Sequence, residues 1–101
     1  MYWYVYLIRT RYGALYTGIT TDVARRLTEH QNGGKKGSRY LRSRGPLQLV
    51  YSAKIGSRAL ALKLEGCIKK LPKRKKELIV KESLPAKALL KLLSGSLFCR
   101  K

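Results

Sequence analysis

The run Tyr2-Trp3-Tyr4-Val5-Tyr6-Leu7-Ile8, a turn at residues 10–14, and then Leu15-Tyr16-Thr17-Gly18-Ile19 decide the fold. The first run is aromatic and β-branched and is apolar on both alternating faces. That is the pattern of a central strand covered on two sides. Gly13 supplies a flexible backbone for the turn, and the second run reads as the returning strand of a hairpin. Gly18 inside that strand marks a bulge or a close approach by another group. With the turn centred near Arg11, Tyr6 and Tyr16 fall opposite each other, with Cβ atoms about 4.5–5.5 Å apart. Two phenols then stand side by side.

Downstream of the hairpin, Thr20 or Thr21 can cap a helix, and Asp22 suits its positive end. This helix runs to about Gln31, where Asn32-Gly33-Gly34 stops it. Val23 and Leu27 define its apolar stripe, with Arg26 and His30 on the edge and Arg25 and Glu29 pointing away. Residues 35–44 are a long loop or short irregular helix carrying Lys35, Lys36, Arg39, Arg42 and Arg44. Gly45-Pro46 breaks the chain before a third strand, Leu47-Gln48-Leu49-Val50-Tyr51. Gly56-Ser57 opens a second helix bounded by Pro72. Leu60, Leu64, Cys67 and Leu71 form its apolar stripe, and Glu65 lies at the border of that stripe. Lys73–Glu82 reads as a third helix. Ser83 and Pro85 open a fourth, with Leu89, Leu90, Leu92 and Leu93 as its apolar side, and residues 94–101 read as a tail.

The order β-β-α-β-α-α-α predicts an α+β fold: a small three-stranded antiparallel sheet flanked by helices. A length of 101 residues fits one domain, with residues 1–82 as its body and 83–101 as a C-terminal helix and tail. A compact chain of this length has a radius of gyration near ~13 Å. The 23 Lys or Arg against 5 Asp or Glu give a net charge of +18. A polyanion is the natural partner of such a surface. No apolar run approaches the ~18–20 residues of a membrane span, and no secretory signal is recognisable. Cys67 and Cys99 lack metal-ligand spacing and read as two reduced thiols in a cytoplasmic protein.

Tyr4-Val5-Tyr6, Tyr16-Thr17-Gly18, the following Ile19-Thr20-Thr21-Asp22-Val23-Ala24-Arg25-Arg26-Leu27, Glu29-His30 and the later Glu65 together resemble the GIY-YIG nuclease family. The resemblance covers roughly residues 2–80 and is closest to the small stand-alone bacterial members. It implies one site for phosphodiester hydrolysis at Tyr6, Tyr16, Arg26 and Glu65. Glu65 would hold one divalent cation, Mg²⁺ or Mn²⁺, and His30 fits a position that assists the tyrosine in some members. Tyr4 replaces the first glycine of the family's motif, and Thr17 the middle residue of the second. Some members carry an asparagine after the glutamate helix; here residues 69–76 are mostly lysine.

The residues support that chemistry in their own right. Phosphodiester hydrolysis needs an activated water, charge relief at the phosphate and help for the leaving oxygen. Arg26 can grip phosphate oxygens bidentately, nearby cations favour a tyrosine's phenolate, which can take the water's proton, and one carboxylate can share Mg²⁺ with phosphate. Lys35, Lys36, Arg39, Arg42, Arg44, Lys69, Lys73 and Lys75 are the expected phosphate contacts. DNA, whether branched, nicked or single-stranded, is the expected substrate ahead of RNA, and the family resemblance implies repair or recombination as the setting. The alternative is a non-catalytic basic nucleic-acid-binding module on the same fold.

Overall fold

The computed structural model describes residues 1–32 and 36–95. Strands β1 (Trp3–Arg9), β2 (Leu15–Thr20) and β3 (Gln48–Gly56) form one sheet in the order β2-β1-β3, antiparallel throughout. Helix α1 (Val23–Asn32) connects β2 towards β3. Helices α2 (Arg58–Lys69), α3 (Lys73–Glu82) and α4 (Ala86–Leu89) follow, and a 3-10 turn spans Leu90–Ser94. The expected class and element order are both present, and the radius of gyration is 13.3 Å.

β1 is central, and its alternating residues feed two cores. Val5 and Leu7 pack with Tyr51 and Ala53 of β3, Ala61, Leu64 and Ile68 of α2, Ile79 of α3 and Leu89 of α4. Tyr6 and Ile8 face the other way, onto Leu41, Leu47, Tyr16 and the Val23–Leu27 stripe of α1. This two-sided cover is why β1 shows no polar alternation. Tyr51 is a core residue whose hydroxyl donates to the Leu84 carbonyl at 2.5 Å.

Three boundaries differ from the sequence reading. β3 runs on to Gly56, because Ser52-Ala53-Lys54 keeps a period of two, with Ala53 buried and its neighbours exposed. The buried face of α2 is Ala61, Leu64 and Ile68, one position round from the expected stripe. Ser83 does not open a helix: it ends α3 in the left-handed conformation at φ 46, and α4 is a single turn. Ser57 caps α2 as expected, accepting from the Leu60 N–H at 3.2 Å. Arg9 is tied to α3 by two 2.7 Å bonds to Glu77.

Thr17 points from β2 into the α2 side of the sheet. Its hydroxyl is the one buried side-chain polar atom without a hydrogen-bond partner among the described residues. Burying an unsatisfied hydroxyl costs about 1–3 kcal/mol. Thr17→Val keeps the shape and removes that cost. The variant is expected to gain about 1 kcal/mol and roughly 4–8 °C in Tm by thermal unfolding.

Candidate active site

Tyr6 pairs with Gly18 across β1 and β2, and its ring lies over the glycine. A Cβ on Gly18 would come within 2.5 Å of Tyr6 Cζ, and closer still to the hydroxyl oxygen. Gly18 is therefore the seat of the Tyr6 ring. The bulges of the sheet lie instead in the β1–β3 pairing, between Trp3 and Tyr4 and between Leu7 and Ile8.

Tyr16 stands opposite Ile8, not opposite Tyr6. The turn is closed by Thr10 N–H to the Ala14 carbonyl and Gly13 N–H to the Thr10 carbonyl, both 2.9 Å, with Gly13 at φ 84. It is centred on Tyr12, one residue beyond Arg11, so the partner of Tyr6 moves by two residues. A shift of two keeps every side chain on its face. The phenols remain diagonal neighbours, with ring centroids 6.5 Å apart and planes at 40°.

α1 brings in the next groups. Asp22 does the capping, accepting from the Arg25 N–H at 3.1 Å, while Thr20 Oγ1 accepts from the Asp22 N–H at 3.1 Å. His30 is not at the edge of the apolar stripe but inside, only 2% exposed. Its Nε2 lies 2.9 Å from the Tyr6 hydroxyl, and its Nδ1 accepts from the Ser38 N–H at 3.1 Å. Because Nδ1 accepts, a neutral ring carries its proton on Nε2 and donates to Tyr6. Burial, and then the charge of Arg26, push the His30 pKa below 6.5, which keeps the ring neutral.

Arg26 Nη1 donates to Glu29 Oε1 at 3.0 Å and to the Lys36 carbonyl. Glu29 thus turns towards the site, with a side chain only 16% exposed, contrary to its expected outward position. Burial, and then the neighbouring Tyr16, push the Tyr6 pKa up to about 12; the Arg26 guanidinium beside the hydroxyl pulls the other way. Glu65 approaches from α2, where it is paired with Lys69 at 3.5 Å, and its charge reaches Tyr6 weakly.

Residues 36–44 supply parts that local spacing does not reveal. Tyr40 stacks on Tyr16 with centroids 5.8 Å apart, and the Arg44 guanidinium lies 4.1 Å above Tyr40. Ser38 N–H holds His30, and the Arg11 N–H holds the Arg44 carbonyl at 3.0 Å. Of the expected phosphate contacts, Lys36, Arg39, Arg42, Lys69 and Lys73 are exposed, while Arg44 and Lys75 are half-buried. Lys35 and Cys99 lie outside the described residues.

Among the described residues no three His, Cys, Asp or Glu side chains cluster as metal ligands. The donor chemistry still fits a hard cation. Mg²⁺ is commonly bound through one or two carboxylates plus phosphate and water, and Glu65 offers one carboxylate, paired among the described residues with the exposed Lys69.

The depressed His30 pKa has a consequence for stability. The unfolded chain binds the proton more tightly, so stability is full above pH ~6.5 and falls as pH drops through the folded-state value. A protonated ring also loses its Nδ1 acceptor for Ser38. Urea midpoints are expected to fall from about pH 7 to pH 5, and the slope to flatten in His30→Gln.

The three-stranded antiparallel sheet flanked by helices is the fold of a GIY-YIG-type domain. The GIY-YIG catalytic domain profile matches residues 2–78, and the chain belongs to that family. It is 57% identical over 88 residues to a UPF0213 protein of Citrobacter koseri, covering 87% of this chain and 86% of that one. It is 55% identical over 91 residues to UPF0213 protein YhbQ of Salmonella typhimurium, covering 90% and 89%. The solution NMR structure of the UPF0213 protein BH0048 from Bacillus halodurans superposes with a TM-score of 0.52 at 43% identity, covering 80% of this chain and 84% of that one. Among the described residues no helix is long and apolar enough to cross a membrane.

Proposed function

We propose that this protein is a DNA endonuclease that hydrolyses phosphodiester bonds at Tyr6, Tyr16, Arg26, His30 and Glu65, with one Mg²⁺ or Mn²⁺ held by Glu65. One observation carries the reading. The Tyr6 hydroxyl lies 2.9 Å from His30 Nε2 and beside the Arg26 guanidinium, with a carboxylate within electrostatic reach. Bound at Glu65, a divalent cation would supply positive charge to the phosphate oxygens. Family membership and the +18 charge support a nucleic-acid substrate. A cytoplasmic role in DNA repair or recombination is the setting that goes with this reading.

Tyr6 is the better placed phenol to accept the proton of the attacking water. Two donors, the His30 Nε2–H and Arg26, stabilise its oxyanion once formed. Burial and Tyr16 oppose this and hold the pKa near about 12 in the free protein. Only a small fraction of the phenol is ionised at neutral pH. Single-turnover cleavage is therefore expected to rise with pH, by about tenfold per unit, through about pH 9. A plateau near neutrality would exclude Tyr6 as the base.

A second reading, a non-catalytic nucleic-acid-binding module, draws on the ion pairs Arg26–Glu29 and Glu65–Lys69, which engage both groups within the protein. The deciding experiment incubates the protein with labelled single-stranded, nicked, branched and duplex DNA and with RNA, in Mg²⁺, Mn²⁺ or EDTA. Metal-dependent products on DNA support the nuclease. Salt-sensitive binding without products on any substrate supports the module.

A further inference from the structure

We infer that the cleft between the last turn of α1 and residues 41–47 is a nucleobase subsite, which takes one base unpaired or swung out of the helix. The inference deepens the nuclease reading and rests on it for its role in cleavage. The cleft has a volume of about 290 Å³. Clefts that hold drug-sized ligands start near ~300 Å³, so this one suits a single planar ring system with its sugar outside.

Its walls have the chemistry of a base and not of a phosphate. Leu41 and Leu47 are buried apolar surface, and Pro46 adds a flat aliphatic face. Two side chains offer hydrogen bonds at the wall. Gln31 is exposed, and its amide spends one N–H on a 3.5 Å contact to the Leu47 carbonyl. Arg42 is also exposed, and its guanidinium has no side-chain partner among the described residues. Gln and Arg are the side chains that most often read base edges in pairs of hydrogen bonds, and apolar walls hold a displaced base by its faces. The cleft lies at the C-terminal turn of α1, where the final carbonyls carry partial negative charge. An anion there would meet apolar walls and an unfavourable helix end, with Arg42 alone to offset them; a neutral base meets neither penalty.

His30 links the cleft to the chemistry. His30 lines the cleft, and its ring is hydrogen-bonded to the Tyr6 hydroxyl at 2.9 Å, with ring centroids 6.0 Å apart. A base seated there would bring its own nucleotide next to the Tyr6–His30 pair, fixing which bond is presented for cleavage.

The test uses the full chain in EDTA, so that no cleavage enters. Each of the four free deoxynucleosides, and separately inorganic phosphate, is titrated into labelled protein and followed by ¹H–¹⁵N NMR. At least one nucleoside is expected to shift the Gln31 side-chain amide together with the Leu41 and Leu47 backbone amides, saturably, whereas phosphate leaves these three signals unmoved. Gln31→Trp, a substitution at an exposed position that plugs the cleft, should abolish the response. A parallel scan with oligonucleotides lacking one base at a time should find a position where the loss weakens binding about tenfold to the native chain and not to Gln31→Trp. The inference is overturned if no nucleoside moves these signals, if phosphate moves them equally, or if the response survives Gln31→Trp. Because neither measurement involves metal or turnover, its failure is distinct from a failure to cleave.

Discussion

Arg26→Ala is expected to lower the cleavage rate by about 10²–10³-fold while leaving the fold intact. The guanidinium is the cation beside Tyr6 and the group best shaped to stabilise charge building on a phosphate. Its structural contacts are modest. Its bond to Glu29 is a half-buried i,i+3 helix pair, and helix pairs of that spacing contribute about 0.2–0.5 kcal/mol. Two signs separate this from a general loss of structure. The His30 pKa should move up towards its ordinary value, because the Arg26 charge is one of the influences that depress it. The Tyr6 pKa should move further up, because Arg26 is what offsets its burial. NMR titration of the His30 ring and ultraviolet titration of the tyrosines read both, and duplex binding measured alongside should fall far less than the rate.

Gly18→Ala is expected to damage stability and activity together, although the added group is one methyl. The new Cβ would sit within 2.5 Å of Tyr6 Cζ, and Tyr6 is only 2% exposed, so its ring cannot swing into solvent without leaving the core. Overpacking of this kind costs about 1–3 kcal/mol. The ring must tilt away from its seat, which stretches the 2.9 Å contact to His30 Nε2. A displacement near 1 Å at a reacting group can cost about 10²-fold in rate. Denaturant unfolding and single-turnover cleavage on the same preparation check both halves. Gly66→Ala is the control: a Cβ there meets nothing within 4 Å, so neither quantity should fall.

Much of the fold was legible because its signals are local. Val5 and Leu7 alternate with Tyr6 and Ile8, and the two cores follow directly from that alternation. Pro72 and the apolar pattern beyond it define α3 at Lys73–Glu82, as the sequence predicts. β3 extends past its apolar run because its period, not its hydrophobicity, carries it to Gly56. The last helix is a single turn that passes into a 3-10 turn at Leu90–Ser94; Leu89 is fully buried, and Leu90, Leu92 and Leu93 pack against the same core.

The candidate site was legible in part. Tyr6, Arg26 and His30 come together because strand and helix periods aim them at one face. The hairpin register needed the hydrogen bonds of the turn, which sequence does not display. His30 reads as a border residue from helix geometry alone, and becomes a buried one because residues 36–44 fold over it. Ser38 and Tyr40 left no periodic trace: long-range bonds through His30, Tyr16 and Arg11 hold that segment in place. Helix geometry alone points Glu29 outward, and its bond to Arg26 three residues earlier turns the carboxylate back.

The most direct test of the account compares the native chain with Glu65→Gln on one labelled DNA substrate, measuring cleavage in Mg²⁺ or Mn²⁺ and binding in EDTA on the same samples. Glu65→Gln preserves the size of a side chain that is 19% exposed and removes its charge. The account predicts metal-dependent products from the native chain, a loss of about 10²-fold or more in the variant, and binding unchanged within a few-fold. Equal cleavage by both proteins, or binding without products from the native chain on every DNA shape, would contradict it.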